Sequence, residues 1–299
     1  MGQDLTAAVI GLGSMGWGAA MSLLKAGIVT QGADVRSDVL EKFAAVGGTP
    51  FGNAGAACVK ADVVFLFVVN GDQAHEVLFG RGGAVVAAQP GTVFVLCVTM
   101  EPSRAVELGT RLTEAGMLSL DAPVSGGSAK ALSGEMTIMA SGSEDAFQKA
   151  GGALDAIATK VYRLGDAPGK GSEVKMINQL LAGVHIAAAA EALTLGAKLG
   201  LDLKMLHEVI QECAGNSWMF GNRGAHIVNG DYTPHSAVNI FIKDLGIVTG
   251  EAGEHPVPLS DTALALFKEA AEAGMGLEDD AAVAKLLARK GGVTLPGME

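Results

Sequence analysis

The sequence predicts an α/β domain, with a parallel sheet covered by helices on both faces, followed by an all-helical domain that a long helix joins to the first. Three observations predict this. Up to about residue 165, short β-rich runs alternate with helical stretches, the grammar of βαβ units. One run, DVVFLFVV from Asp62 to Val69, is apolar almost throughout, as a strand buried on both faces has to be. After Gly169 the alternation stops, and the remainder of the chain reads as helix to the end.

The elements come in order. TAAVIG opens the sheet, and IVTQGAD, DVVFLFVVN, GTVFVLCV, MLSLDAPV, EMTIMAS and KVYRL continue it, seven strands in all. From Ser172 to Leu199 the chain has no proline and is apolar almost all round, which predicts one long helix buried on most sides. Such a helix would join or wedge between the domains, a favoured place for a cleft. LDLKMLHEVIQEC, SAVNIFIKDLGIVTGEAG and LSDTALALFKEAAEAG supply further helices, with no repeat period. The expected boundaries are 1–165 and 166–299.

Composition supports two folded domains. The 299 residues are 49% hydrophobic and 18% charged, enough apolar side chain for real cores. No apolar run reads as a membrane span, since Glu191 and Lys198 interrupt the best one. The start, MGQDLT, formally fits an acylation pattern, but the first strand begins too soon after it to leave a free arm, and nothing resembles a signal peptide. Cys58, Cys97 and Cys213 have neither disulfide nor metal spacing, which fits a reducing cytoplasm; no metal is expected. A net charge of −11 argues against nucleic acid, and it means that any anion has to be held by local groups.

Such groups stand at the first turn. Gly11, Leu12, Gly13, Ser14, Met15 and Gly16 form a G-x-G-x-x-G between a strand and a helix, and Asp34 comes 18 residues after the third glycine. This is the pattern of a Rossmann-type dinucleotide site: a tight turn, a backbone approach to a pyrophosphate, a close helix, and an acid for the adenosine ribose. Asp34 favours NAD over NADP, whereas Arg36 nearby could pair with the extra phosphate.

Four stretches together carry a resemblance: GLGSMG, DAPVSGGSAKALSGEMTIMASG, GKGSEVKMINQ and FIKDLG. In this order they resemble the β-hydroxyacid dehydrogenase family, which includes the 3-hydroxyisobutyrate dehydrogenases. The resemblance implies NAD-dependent oxidation of a small hydroxy acid. L-Threonate, oxidised at its C2 hydroxyl, leads; the tartronate semialdehyde and 3-hydroxyisobutyrate pairs are alternatives, as is a dinucleotide sensor without turnover. It implies Lys175 as the general acid/base, within GxGxxxKxxN, and Asn178 one turn on as a substrate contact. A second asparagine usual in the family is Gln179 here. Ser125, Gly126 and Gly127 are implied as the carboxylate loop, and Lys243 as a contact of both substrate and cofactor. Val69, Asn70 and Thr99 are implied to lie beside the cofactor. Relatives form homodimers or homotetramers through the helical half. His75, His185, His207 and Trp218 carry no assigned role.

Overall fold

The structure is a computed structural model that describes residues 5–298; the acylation pattern begins on Met1 and Gly2, outside the described residues. Two compact units divide at Lys175 and Met176.

The first unit contains β1 (Thr6–Ile10), α1 (Ser14–Lys25), β2 (Val29–Ala33), α2 (Ser37–Ala45), β3 (Thr49–Phe51), α3 (Ala54–Cys58), β4 (Val63–Leu66), α4 (Gly71–Phe79), α5 (Ala84–Ala87), β5 (Val93–Leu96), α6 (Pro102–Glu114), β6 (Leu118–Asp121), β7 (Val124–Ser125), α7 (Gly127–Ser133), β8 (Met136–Gly142), α8 (Glu144–Ile157) and β9 (Ala158–Arg163). The strand order is β3-β2-β1-β4-β5-β6-β8-β7, with β9 against β8. Alternation along the central strands builds two cores. Ala7, Val9, Phe65, Val93 and Val95 face one, with Leu23 of α1 and Phe147 of α8. Ala8, Ile10, Val64, Leu66, Phe94 and Leu96 face the other, with Leu78 of α4 and Leu108 of α6. A fully buried strand serves both sides, so it cannot alternate with polar residues.

Two strands were not legible. β3 is three residues long and contains Pro50, tolerable on the sheet's edge, where one N–H can be spared. β7 is two residues inside DAPVSGG. The sheet is also not wholly parallel: β8 runs antiparallel to β6 and β7, because the connection from β6 holds only β7 and the short α7 instead of a full crossover.

Helix α9 (Lys170–Lys198) runs from the first unit into the second, which continues as α10 (Leu203–Gln211), α11 (Trp218–Asn229), α12 (Val238–Glu251), α13 (Pro258–Ala270) and α14 (Val283–Gly291). Ile186, Ala189, Ala190 and Leu193 of α9 pack in a core with Phe241, Leu245 and Phe267. Two expectations are corrected here. Val174, Ile177, Leu181, Ala188, Ala192 and Leu195 form an exposed apolar stripe along α9, so one face of it is not buried. By length and hydropathy alone the helix is also apolar enough to cross a membrane, because its charges are few and spread out; one side of it packs in the helical core and the other carries the exposed stripe. A buried ionic cluster braces this unit. Arg223 of α11 holds Asp280 through Nε and Nη2 (2.5 and 3.1 Å), and His226 Nδ1 lies 3.0 Å from Asp279. All three cysteines are free of disulfides.

Candidate active site

Five strands of the first unit end in one row. Pairing sets Ala33, Ile10, Leu66, Leu96 and Asp121 side by side, so the loops after them leave from the same edge. The order reverses between β1 and β4, the switch point where open α/β sheets bind ligands.

The three glycines of the first loop meet different demands. Gly11 has φ +90, and a Cβ there would strike the carbonyl of Phe67. A Cβ on Gly16 would strike the carbonyl of Gly11, so α1 can lie this close to β1 only with glycine there. Gly13, by contrast, faces space: nothing lies within 4 Å of where its Cβ would be. It begins α1 without a side-chain cap and with no acid in the first turn, which leaves the positive end of the helix to an anion. Leu12, Gly13, Ser14, Trp17, Arg36 and Lys42 help line a cavity of about 380 Å³. Met15 is half-buried, with its side chain packed against the core.

Asp34 comes directly after β2. Its Oδ2 accepts the Leu12 N–H (2.8 Å), and Arg36 grips both oxygens, Nε to Oδ1 at 2.8 Å and Nη2 to Oδ2 at 2.9 Å. The Arg36 guanidinium holds the Asp34 pKa down at about 2, helped by the Arg36 and Leu12 amides and opposed by burial. Arg36 is thus turned onto Asp34. The open Gly13, the uncapped helix and the carboxylate at the strand end fit a dinucleotide with a free ribose diol.

Val69 and Asn70 come after β4 on this edge. The Asn70 side chain caps α4, accepting the Gln73 N–H (2.9 Å), while the Val69 N–H donates to Gln73 Oε1 (3.0 Å). Thr99 lies in the loop after β5. Beyond β6, Ser125 ends β7, and Gly126 and Gly127 come next with φ +133 and +72, values that favour glycine.

The same DAPVSGG segment holds the start of α9. Asp121, fully buried, accepts the Gly169 N–H (3.0 Å), the Ser172 N–H (2.8 Å) and the Ser172 hydroxyl (2.7 Å). Burial pushes its pKa up, and these donors oppose the rise. Gly171 N–H donates to Ser141 Oγ (3.1 Å). One turn on, Lys175 is 8% exposed and its Nζ donates to the Val124 carbonyl (2.9 Å). Asp121 was not legible as an anchor, although an acid closing a strand and opening a glycine motif is the signal that marks it.

Within the helical unit, Asn178, Gln179, Lys243 and Asp244 form one chain. Asn178 Nδ2 donates to Gln179 Oε1 (2.9 Å), Gln179 Nε2 donates to Asp244 Oδ2, and Lys243 Nζ pairs with Asp244 Oδ1 (2.6 Å) as an ion pair without hydrogen-bond alignment. Asp244 is the other residue missed, since nothing in FIKDLG separates a buried carboxylate from a solvated one. His75 contacts Arg111, and His207 lies 3.1 Å from the Gly221 carbonyl and stacks on Phe220, both local packing roles.

Comparison with known proteins gives this geometry a context. Residues 6–165 match the family described as the NAD binding domain of 6-phosphogluconate dehydrogenase, and 169–287 match the NAD-binding domain of NADP-dependent 3-hydroxyisobutyrate dehydrogenase. L-Threonate dehydrogenase of Cupriavidus necator is 54% identical over 97% of this chain and 97% of its own length. The protein of that name from Escherichia coli K12 is 48% identical over 99% of this chain and 98% of its own. Among solved structures, one described as 3-hydroxyisobutyrate dehydrogenase from Salmonella typhimurium superposes with a TM-score of 0.91 at 48% identity, covering 95% of this chain and 100% of that one.

Proposed function

The chain belongs to the β-hydroxyacid dehydrogenase family and is an NAD-dependent hydroxyacid oxidoreductase, and from that premise we propose that it oxidises L-threonate at the C2 hydroxyl. The observation that carries the substrate is the near full-length likeness to relatives named for that acid.

NAD, when bound, supplies the hydride acceptor. Lys175 takes the hydroxyl proton in oxidation and returns it to the carbonyl in reduction. Its bond to the Val124 carbonyl fixes the nitrogen's position through a donated N–H, while a neutral amine keeps a lone pair for the proton. The Ser125 hydroxyl and the amides of Gly126 and Gly127 hold the substrate carboxylate; Asn178 orients the acid, and Lys243, held by Asp244, adds positive charge toward acid and nicotinamide. Gly11 to Gly16 bind the pyrophosphate, Asp34 the adenosine ribose, and Val69, Asn70 and Thr99 border the cofactor.

We assign substrate binding and oligomerisation to residues 166–299. The exposed stripe on α9 supports a homodimer or homotetramer, and three cysteines without disulfides support a reducing cytoplasm. The test is a panel of hydroxy acids with NAD and NADP, read as kcat/KM. L-Threonate with NAD is expected to lead; a larger value for 3-hydroxyisobutyrate, or for glycerate formed from tartronate semialdehyde, would reassign the substrate.

A further inference from the structure

Helix α7 is seven residues long, too short to be stable by itself, and its neighbour α1 sets its place. Gly18 of α1 is buried, and a Cβ on it would lie 2.6 Å from the carbonyl carbon and the Cβ of Ala131 and 2.7 Å from the Leu132 nitrogen, where ordinary contact begins at 3.4 Å. The two backbones therefore touch, and glycine at position 18 lets them. One turn on, Ser22 is 4% exposed, and its hydroxyl shares a single proton between the carbonyls of Ala131 (3.0 Å) and Leu132 (3.3 Å). These belong to the last turn of α7, where carbonyls lack partners within the helix. At the other end, Ser14 of α1 and Ser128 of α7 line one cavity, so the two helices run side by side in the same direction. Gly126 and Gly127 lead directly into α7, while Ser125 before them is tied through β7 to Thr137 of β8. The loop is strung between the sheet and α7, and the seat of α7 on α1 decides where the two glycine amides stand.

We propose that Gly18 and Ser22 are positioning residues, which seat α7 on the pyrophosphate helix and thereby hold the amides of Gly126 and Gly127, with the substrate carboxylate on them, at a fixed reach from the cofactor. This deepens the proposed activity and rests on its assignment of the carboxylate to Ser125, Gly126 and Gly127. One helix then serves as the common reference for both ligands: the start of α1 receives the pyrophosphate, and its flank carries the element that receives the acid. Hydride transfer needs the carbinol carbon and the nicotinamide within ~3–3.5 Å, and a misplacement of ~1 Å can cost ~10²-fold in rate. A short helix pressed backbone to backbone against its neighbour has no slack, so a group added at the contact is passed on to the loop as a displacement.

The experiment sets kinetics for the hydroxy acid that leads the panel against the NAD dissociation constant, read by fluorescence, in Gly18→Ala, Ser22→Ala and Ser125→Ala. Gly18→Ala lifts α7 from α1 and is expected to lower kcat/KM by ~10²-fold, through kcat as well as KM, with the NAD dissociation constant within ~2-fold of the unmodified value. Ser22→Ala leaves two carbonyls without their donor and should raise KM for the acid by ~5-fold, again with NAD binding kept. Ser125→Ala reports on the carboxylate assignment itself and should also raise KM for the acid. If Gly18→Ala does not fold, Ser22→Ala carries the comparison alone. Unchanged acid kinetics in the Gly18 and Ser22 variants, beside a raised KM in Ser125→Ala, overturn this proposal and leave the carboxylate assignment standing. Equal losses for acid and NAD also overturn it, since the contact would then serve α1 alone. An unchanged KM in Ser125→Ala removes the carboxylate assignment and this proposal with it.

Discussion

At the scale of single residues, Lys175 and Asp34 carry the sharpest expectations. Lys175→Ala is expected to lower kcat by ~10²-fold to 10⁴-fold while NAD still binds, because the proposed general base is removed and the proposed pyrophosphate loop is untouched. Single-turnover kinetics with a cofactor titration check both halves, and near-normal turnover would remove Lys175 from the mechanism. Asp34 is expected to set an NAD preference of roughly tenfold or more in kcat/KM, since its charge meets an added 2′-phosphate at short range. Asp34→Ser should narrow or reverse that preference, because it also releases Arg36 from its present grip. The pH dependence comes from the carboxyl value of about 2. That lies below the ~3.9 of an unfolded chain, so the stabilisation from the Asp34–Arg36 pair is present above ~4 and is lost as the pH falls toward 2. The NAD preference should accordingly be flat through the neutral and mildly acidic range, and a preference that decays below pH ~6 would assign it to another group.

At the scale of elements, α9 is pinned to the sheet edge by three donors on one buried carboxylate. Asp121→Ala leaves those donors buried without a partner, each worth ~1–3 kcal/mol if unsatisfied, so urea unfolding should show a loss of at least ~2 kcal/mol. Turnover should fall with it, because Lys175 lies one turn from the loosened end; an unchanged stability would mean that water replaces the carboxylate. The strands, the glycine loop and α9 itself were legible in the chain, since each has a period or a motif spanning several residues. β3, β7 and the reversed β8 were not, because two of them are too short for any period and direction is set by the connection. Lys175 stands out in the sequence from its spacing to Gly169, Gly171 and Asn178, whereas the α9 donors to Asp121 lie 48 and 51 residues from it and Asp244 lies 65 from Gln179, so only the fold brings these pairs together.

At the scale of the whole molecule, the proposed self-association rests on the exposed apolar stripe on α9. The chain is expected to sediment as a homo-oligomer, and Leu181→Glu should shift it toward the monomer in analytical ultracentrifugation. An unmodified protein that sediments as a monomer would leave the stripe unexplained by self-association. The helical unit has its own weak point: Arg223→Met strands Asp280 without its cation and should cost ~3–5 kcal/mol in denaturant unfolding. Finally, the three glycines of the first loop answer to different masters. Gly11 and Gly16 are demanded by the protein's own backbone, while nothing in the protein crowds Gly13, whose demand on the proposed reading comes from a bound nucleotide. Alanine at either of the first two should therefore yield insoluble or misfolded chains, and alanine at Gly13 a well-folded protein impaired for nucleotide. A lineage of this fold released from dinucleotide chemistry would retain the outer pair and let the middle glycine drift, so that one position records whether the ligand still matters.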